Sequence, residues 1–202
     1  MPPNFALRRA RKGTGVLPPN PTRWEQEHNA LDVRHELSLG LDVQLPHAAP
    51  FGLLRDVYVC SNKELRLEPH QICYFSGQNS RKWSGMCIPY PNGTTLVLYN
   101  GDHPERRVRA TLMEEFFHLW LGHRPDRLRL LSSGEGSRDF DPTKESDAYG
   151  SGAAALVPYK SLRAMLSQGY SVNQIADHFL VSEQMIQFRI RVSKLIRLRR
   201  RA

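Results

Sequence analysis

The chain of 202 residues has little cysteine and no long apolar run, and each absence excludes a class of protein. Its three cysteines, Cys60, Cys73 and Cys87, are odd in number and irregularly spaced, which argues against a disulfide framework and a cysteine-based zinc site. No stretch approaches the roughly 18 apolar residues that a membrane-spanning helix needs. The basic N-terminal residues are not followed by an apolar segment, so we expect no secretory signal and a cytoplasmic protein without a membrane partner.

Basic charge is concentrated at the two ends of the chain. The formal net charge is +8, but residues 1–12 carry four basic side chains and no acid, and residues 189–202 carry seven. The body between them is therefore mildly acidic. Such ends either contact a polyanion such as DNA or are solvated tails that aid solubility.

The pattern of apolar residues changes twice along the chain and predicts an α+β fold. A helical pattern runs over Trp24–Leu41, and the chain is helical again from Glu105 onward. Between them lie four short runs rich in β-branched and aromatic residues, the last two joined by an Asn-Gly turn: "DVYVC", "QICYF", "SGMCIPY" and "TTLVLYN". We expect a small antiparallel sheet flanked by helices.

Residues 110–123, "ATLMEEFFHLWLGH", place two carboxylates and a histidine inside an apolar helix. Glu114 and His118 are about 40° apart on one helix face, and Glu115 lies beside them. This is the spacing of the zincin helix, where two metal ligands at i and i+4 enclose a glutamate that acts as general base. Carboxylate oxygen binds zinc and also suits manganese or iron. The alternative is a buried, hydrogen-bonded Glu–His pair without metal.

A later segment, residues 141–158, predicts a second helix that approaches the first one closely. Asp141 and Pro142 form a favourable helix start, and a run of glycine, serine and alanine residues follows. This helix brings the acids Glu145 and Asp147. Either acid is a candidate ligand, although acids also favour a first helical turn because of the helix dipole.

Three segments in order, "RATLMEEFFHLWLGH", "ESDAYGSGAAALVPYKSL" and "SVNQIADHFLVSEQMIQFRI", resemble the ImmA/IrrE-type metallopeptidases. The resemblance implies a zincin-like protease core with Glu115 as the catalytic base. It assigns metal binding to His118, to Asp147 as the acidic third ligand, and to Glu114 where the family has its first histidine. It further implies one divalent metal, zinc or alternatively manganese, and a repressor-type transcription factor of the helix-turn-helix class as the protein substrate.

Composition and the same resemblance together predict three parts. The basic start and the Pro/Gly-rich residues 13–22 predict an arm and linker over residues 1–22. The resemblance implies a metallopeptidase-like core over residues 23–158 and a helical tail over residues 159–202. In the tail, Ser171 and Ser182 are predicted N-caps of two short helices that look like a helix-turn-helix. A substrate segment is expected to pair with residues 94–99 as an added strand.

Two other functions compete with an active metallo-endopeptidase. The first is a catalytically degenerate relative that acts as a DNA- or protein-binding regulator through its tail and basic C-terminus. The second is an interaction protein that uses the fold as a scaffold. Loss of cleavage in a Glu115→Gln variant would favour the enzyme, whereas salt-dependent DNA binding that requires residues 197–201 would favour the regulator.

Overall fold

The computed structural model describes residues 17–66, 82–123, 128–130, 136–138 and 141–199, the two shortest segments by backbone alone. The predicted basic arm at residues 1–12, the predicted strand "QICYF" with Cys73, and Arg200 and Arg201 lie outside the described residues. The helices are α1 (Trp24–Glu36), α2 (Glu105–Trp120), α3 (Pro142–Leu156), α4 (Tyr159–Ser167), α5 (Val172–Phe179), α6 (Glu183–Val192) and α7 (Ile196–Arg199). The strands are β1 (Val57–Ser61), β2 (Gly85–Pro89), β3 (Thr95–Tyr99), β4 (Leu128–Leu130) and β5 (Gly136–Arg138).

The three-stranded sheet is mixed, so the α+β class is confirmed but the expectation of an antiparallel sheet is wrong for one pair. Its strand order is β1–β3–β2. β3 runs antiparallel to β2, with Gly85 opposite Tyr99, and parallel to β1, with Val57 opposite Thr95. A simple meander would place β2 beside β1, whereas this order places β3 there and makes that pair parallel. Because β3 is central and paired on both sides, the expected addition of a substrate strand along residues 94–99 is wrong.

The β2–β3 hairpin confirms that the chain turns at Asn-Gly. The observed turn is longer than the two-residue turn that Asn-Gly typically forms. The Gly93 amide donates to the Tyr90 carbonyl at 3.1 Å, and the Tyr90 amide donates to the Thr94 carbonyl at 2.8 Å. Gly93 has a φ of +89° while Asn92 stays outside the left-handed region. Glycine is therefore required at one position, where the chain rejoins the sheet.

Helix α1 ends at Glu36, five residues before the predicted end, because the chain turns over a buried arginine. Ser38 takes a left-handed conformation with φ of +54°, and the Leu39 amide donates back to the Arg34 carbonyl at 2.8 Å. The Arg34 guanidinium, 1% exposed, donates to the carbonyls of Gly40 and Val43. Both carbonyls lie beyond the end of α1. Because the guanidinium supplies their hydrogen-bond donors, the chain does not need to continue as a helix to satisfy them.

One buried cluster joins the helices to the sheet. Helix α2 packs on α3 and on strands β2 and β3, and α3 packs on α1. Its members come from both the predicted core and the predicted tail, so the two share a continuous interior: Ala30, Val33, Val97, Leu112, Phe116, Phe117, Leu156, Leu162, Ile175, Phe179, Ile186 and Ile190. The division into residues 1–22, 23–158 and 159–202 stays a prediction.

Both predicted N-caps in the tail are present. Ser171 accepts a hydrogen bond from the Gln174 amide and forms a capping box, and Ser182 accepts one from the Met185 amide. Leu180, at the end of α5, takes a left-handed φ of +53° that glycine would adopt at lower cost. The two helices are therefore joined by a short, sharply turned connection.

A buried ion pair links this tail to the first helix. Arg189 of α6 donates to the Glu27 carboxylate of α1, and their side chains are 2% and 1% exposed, respectively. Arg189 Nε also donates to the Val157 carbonyl at 3.0 Å. The pair thus connects α6 to α1 and to the end of α3.

Candidate metal centre

Helix α2 carries apolar and polar residues on different parts of its surface, and the polar part forms the candidate site. Phe116, Phe117, Leu112 and Met113 are fully buried in the core, and Phe116 meets the Trp120 ring in a stacked contact. By contrast, three polar side chains on the remaining surface of α2 are partly exposed: Glu114, Glu115 and His118. The packed helix therefore holds them at a fixed position next to solvent.

The small residues of α3 let that helix approach α2 closely, as the sequence predicted. A Cβ atom on Gly152 would lie 3.2 Å from the backbone carbonyl atoms of Met113. Gly150, Ser151 and the three alanines that follow Gly152 are buried as well. This close packing brings the N-terminal turn of α3, capped by Asp141 as predicted, next to the polar residues of α2.

Two of the polar side chains of α2 and one acid from the first turn of α3 form a group able to hold a metal ion. Glu114, His118 and Glu145 each offer a ligand atom, and these atoms lie within 4.8 Å of one another. His118 Nε2 is 3.5 Å from Glu145 Oε2. Two carboxylate oxygens and an imidazole nitrogen suit zinc and also suit manganese. The donor set therefore fits a divalent metal.

Burial and neighbouring negative charges act on the first carboxylate of the group. The pKa of Glu114 is raised from 4.5 to about 7, first by burial and then by the charges of Glu115 and Glu145. A divalent cation would remove this repulsion, and the ligand must lose its proton to bind. Metal affinity at Glu114 should therefore weaken below about pH 7.

The structure does not bring Asp147, the third ligand that the family resemblance implies, into this group. Asp147 Oδ1 accepts a hydrogen bond from Gln26 Nε2 of α1 at 3.1 Å. Glu145, two residues earlier on the same helix, is the acid beside His118. Residues two apart on a helix point about 200° away from each other, so only one of them faces α2.

Glu115, the predicted general base, lies against strand β2. Its Oε2 accepts a hydrogen bond from the Cys87 thiol at 3.1 Å. A Cβ atom on Gly85 would lie 3.1 Å from Glu115 Oε1 and 2.6 Å from a methyl group of Thr111. Glycine at position 85 therefore leaves the space that the Glu115 side chain occupies.

A helix continued through residue 123 would place His123 about 140° around the axis from His118, away from the candidate site, but the structure places the two side chains together. Helix α2 stops at Trp120, and Gly122 reverses the chain with a φ of +69°. His123 Nδ1 then lies 3.2 Å from His118 Nδ1. Burial and the nearby His118 lower the pKa of His123. The signal in the sequence was Gly122, a residue typical of helix ends.

These features define a protein with a candidate metal centre on a central helix. The family model of the IrrE N-terminal-like domain, peptidase family M78, matches residues 70–191, and the chain belongs to this family of metallopeptidases. No curated protein and no solved structure shows a significant match. Among the described residues, no helix combines the length and apolarity needed to cross a membrane.

The raised pKa of Glu114 predicts a pH-dependent stability of the metal-free protein. Between about pH 4.5 and about pH 7 the folded state binds more protons at Glu114 than the unfolded state does. By linkage, this contribution makes the protein less stable as the pH rises through that range. Urea unfolding of chelator-treated wild type and Glu114→Gln should show the variant gaining stability relative to wild type over that range. A stability difference independent of pH would contradict the prediction, and Glu105→Gln on the exposed end of α2 is the control.

Proposed function

We propose that this chain is a metal-dependent endopeptidase whose ion is held by Glu114, His118 and Glu145. The observation that carries the proposal is the grouping of these three ligand atoms on two packed helices within the segment matched to the metallopeptidase family. A divalent ion bound there would act as a Lewis acid that polarises the scissile carbonyl and makes water more acidic. Zinc is the expected ion, with manganese as the alternative.

Glu115 is proposed as the general base. It follows the first ligand in sequence and lies on the same side of α2, where its Oε1 and Oε2 face Gly85 and Cys87 of β2. A carboxylate in this position accepts a proton from the attacking water and later returns it to the leaving amine. The Cys87 thiol holds one of its oxygens by a hydrogen bond, which fixes the orientation of the base.

A protein segment is the substrate that the family implies, and we propose that it docks on β2. Within the part of the chain that the structure describes, β2 has a partner strand, β3, on one side only. β2 also contacts Glu115, so a substrate strand added there would lie near the base. We retain a helix-turn-helix repressor as the proposed substrate and the cytoplasm as the proposed location. Incubating the protein with such a repressor, with and without chelator, tests this proposal, and a cleavage rate that chelator leaves unchanged would reject it.

The acid that serves as third ligand is decided by a matched pair of variants, Glu145→Gln and Asp147→Asn. We expect Glu145→Gln to weaken zinc binding by more than about 100-fold, because loss of a ligand should exceed the typical effect of losing a supporting residue. Asp147→Asn should have a much smaller effect, because Asp147 contacts Gln26 instead. Chelator competition measures both affinities. The opposite ranking would restore Asp147 as the ligand.

A second candidate function is DNA binding by the tail. Helix α6 and the residues after it expose a polar and basic surface made of Gln184, Gln187, Arg191, Lys194 and Arg197. Such a surface is able to contact phosphate and base edges. Gel-shift titrations at several salt concentrations test it, and absence of binding at low salt would exclude a DNA-binding tail.

A further inference from the structure

The C-terminal end of α2 folds back on the candidate metal ligand His118. The His123 amide donates to the His118 carbonyl at 2.8 Å, and the Gly122 amide donates to the Leu119 carbonyl at 3.1 Å. This pair of hydrogen bonds, with Gly122 in the left-handed region, is the Schellman motif. In this motif the side chains at the two ends of the longer hydrogen bond usually make an apolar contact. Here both are imidazoles.

The two imidazole rings meet in a defined geometry. Their centroids are 5.2 Å apart with an interplanar angle of 67°. The Nδ1 atoms are 3.2 Å apart, within hydrogen-bonding distance. On the other side of its ring, His118 directs Nε2 toward Glu145. The two nitrogens of His118 therefore have different surroundings, one facing a histidine and the other facing the candidate metal centre.

The proton on His118 decides which nitrogen is able to bind a metal. A neutral imidazole carries one proton, so one nitrogen donates and the other accepts. If His118 donates from Nδ1 to Nδ1 of His123, its Nε2 keeps a lone pair directed at Glu145 and Glu114. If instead His123 donates, His118 carries its proton on Nε2 and cannot bind an ion there. Metal-binding histidines usually donate their second ring N–H to a supporting acceptor.

We propose that His123 is a positioning residue that accepts a hydrogen bond from Nδ1 of His118 and thereby presents Nε2 of His118 to the metal. The proposal rests on the proposed function for the identity of the ligand. It assigns His123 no contact with the ion and no contact with substrate. The effect of His123 passes through the tautomer and the ring orientation of His118.

The test uses the full-length chain labelled with ¹⁵N-histidine, as wild type, His123→Ala, His123→Gln and the control His35→Ala. His35 is an exposed histidine of α1. Long-range ¹H–¹⁵N correlation spectra of metal-free protein identify the protonated nitrogen of His118. Chelator competition then measures the zinc affinity of each variant. Circular dichroism confirms that each variant is folded.

In wild type and His35→Ala we expect His118 to carry its proton on Nδ1. We expect a mixture of tautomers and zinc affinity about 10–100-fold weaker in His123→Ala. His123→Gln should partly recover the Nδ1-protonated tautomer of His118 and the zinc affinity, because its amide oxygen accepts the same hydrogen bond. If His123→Ala does not fold, His123→Gln and wild type still decide the assignment.

Two results would overturn the proposal. One is a wild-type His118 protonated on Nε2, and the other is an unchanged tautomer and zinc affinity in His123→Ala. A wild type that binds neither zinc nor manganese would reject the proposed function instead. In that case the tautomer of His118 in the metal-free protein still decides the role of His123, so the two failures are distinguishable.

Discussion

Replacing Glu115 with glutamine should reduce peptide cleavage by about 10²- to 10⁴-fold, the usual contribution of general acid–base catalysis. Glutamine keeps the size of glutamate and an oxygen able to accept the Cys87 hydrogen bond, so the packing against β2 is retained. It cannot accept a proton from water at neutral pH. Because Glu115 is not in the three-residue ligand group, zinc affinity should stay close to that of wild type.

The measurement compares the cleavage rate with the metal content of the same preparation. Glu105→Gln is the matched control, because Glu105 lies in the exposed first turn of the same helix and should leave the cleavage rate unchanged. A Glu115→Gln variant that cleaves as fast as wild type would remove Glu115 from the mechanism. Loss of metal together with loss of cleavage would instead indicate that Glu115 is a ligand.

The buried ion pair between Glu27 and Arg189 predicts the largest effect on stability. Arg189→Ala should lower the free energy of unfolding by about 3–5 kcal/mol, because it leaves the Glu27 carboxylate buried without its partner. Both residues are 1% exposed, so water cannot replace the lost contact. Arg189 also donates to the Val157 carbonyl, which loses that donor.

Denaturant unfolding of wild type and variants measures this effect. Arg191→Ala, an exposed arginine on the same helix, is the control and should change stability by less than about 0.5 kcal/mol. The double replacement Glu27→Leu with Arg189→Met removes both charges and should be less destabilising than Arg189→Ala alone. A loss below about 1 kcal/mol in Arg189→Ala would show that the pair is not closed in solution.

Local signals in the sequence predicted much of the helical structure. The apolar pattern around Phe116 and Phe117 predicted a buried helix, and Asp141 followed by Pro142 predicted the start of α3. The two serine caps in the tail were also readable, because a cap acts on neighbouring amides. Each of these features depends on residues a few positions apart.

Features that depend on distant residues were not predictable. The early end of α1 follows from Arg34, whose buried guanidinium also donates to the Ala155 carbonyl at 2.6 Å, 121 positions away in the sequence. The parallel pairing of β1 with β3 depends on strand order, which short apolar runs do not encode.

The same limit applies to the candidate site. The spacing of Glu114 and His118 was readable from one helix, since both lie on one face. The sequence could not decide between Glu145 and Asp147 as the third ligand. Helix α3 has small residues on every side, so its sequence does not show which side packs against α2. The contact of His123 with His118 requires the helix to end at Trp120, a boundary that the apolar pattern alone did not give.

The most direct test of the account is the metal content of the purified protein, measured by elemental mass spectrometry beside His118→Ala. The account predicts about one zinc or manganese ion per wild-type chain, held by three protein ligands, and its loss in the folded variant. A folded wild type without metal, even after reconstitution with zinc and with manganese, would contradict the account. The Glu–His cluster would then be structural, and the regulatory function of the tail would become the better explanation.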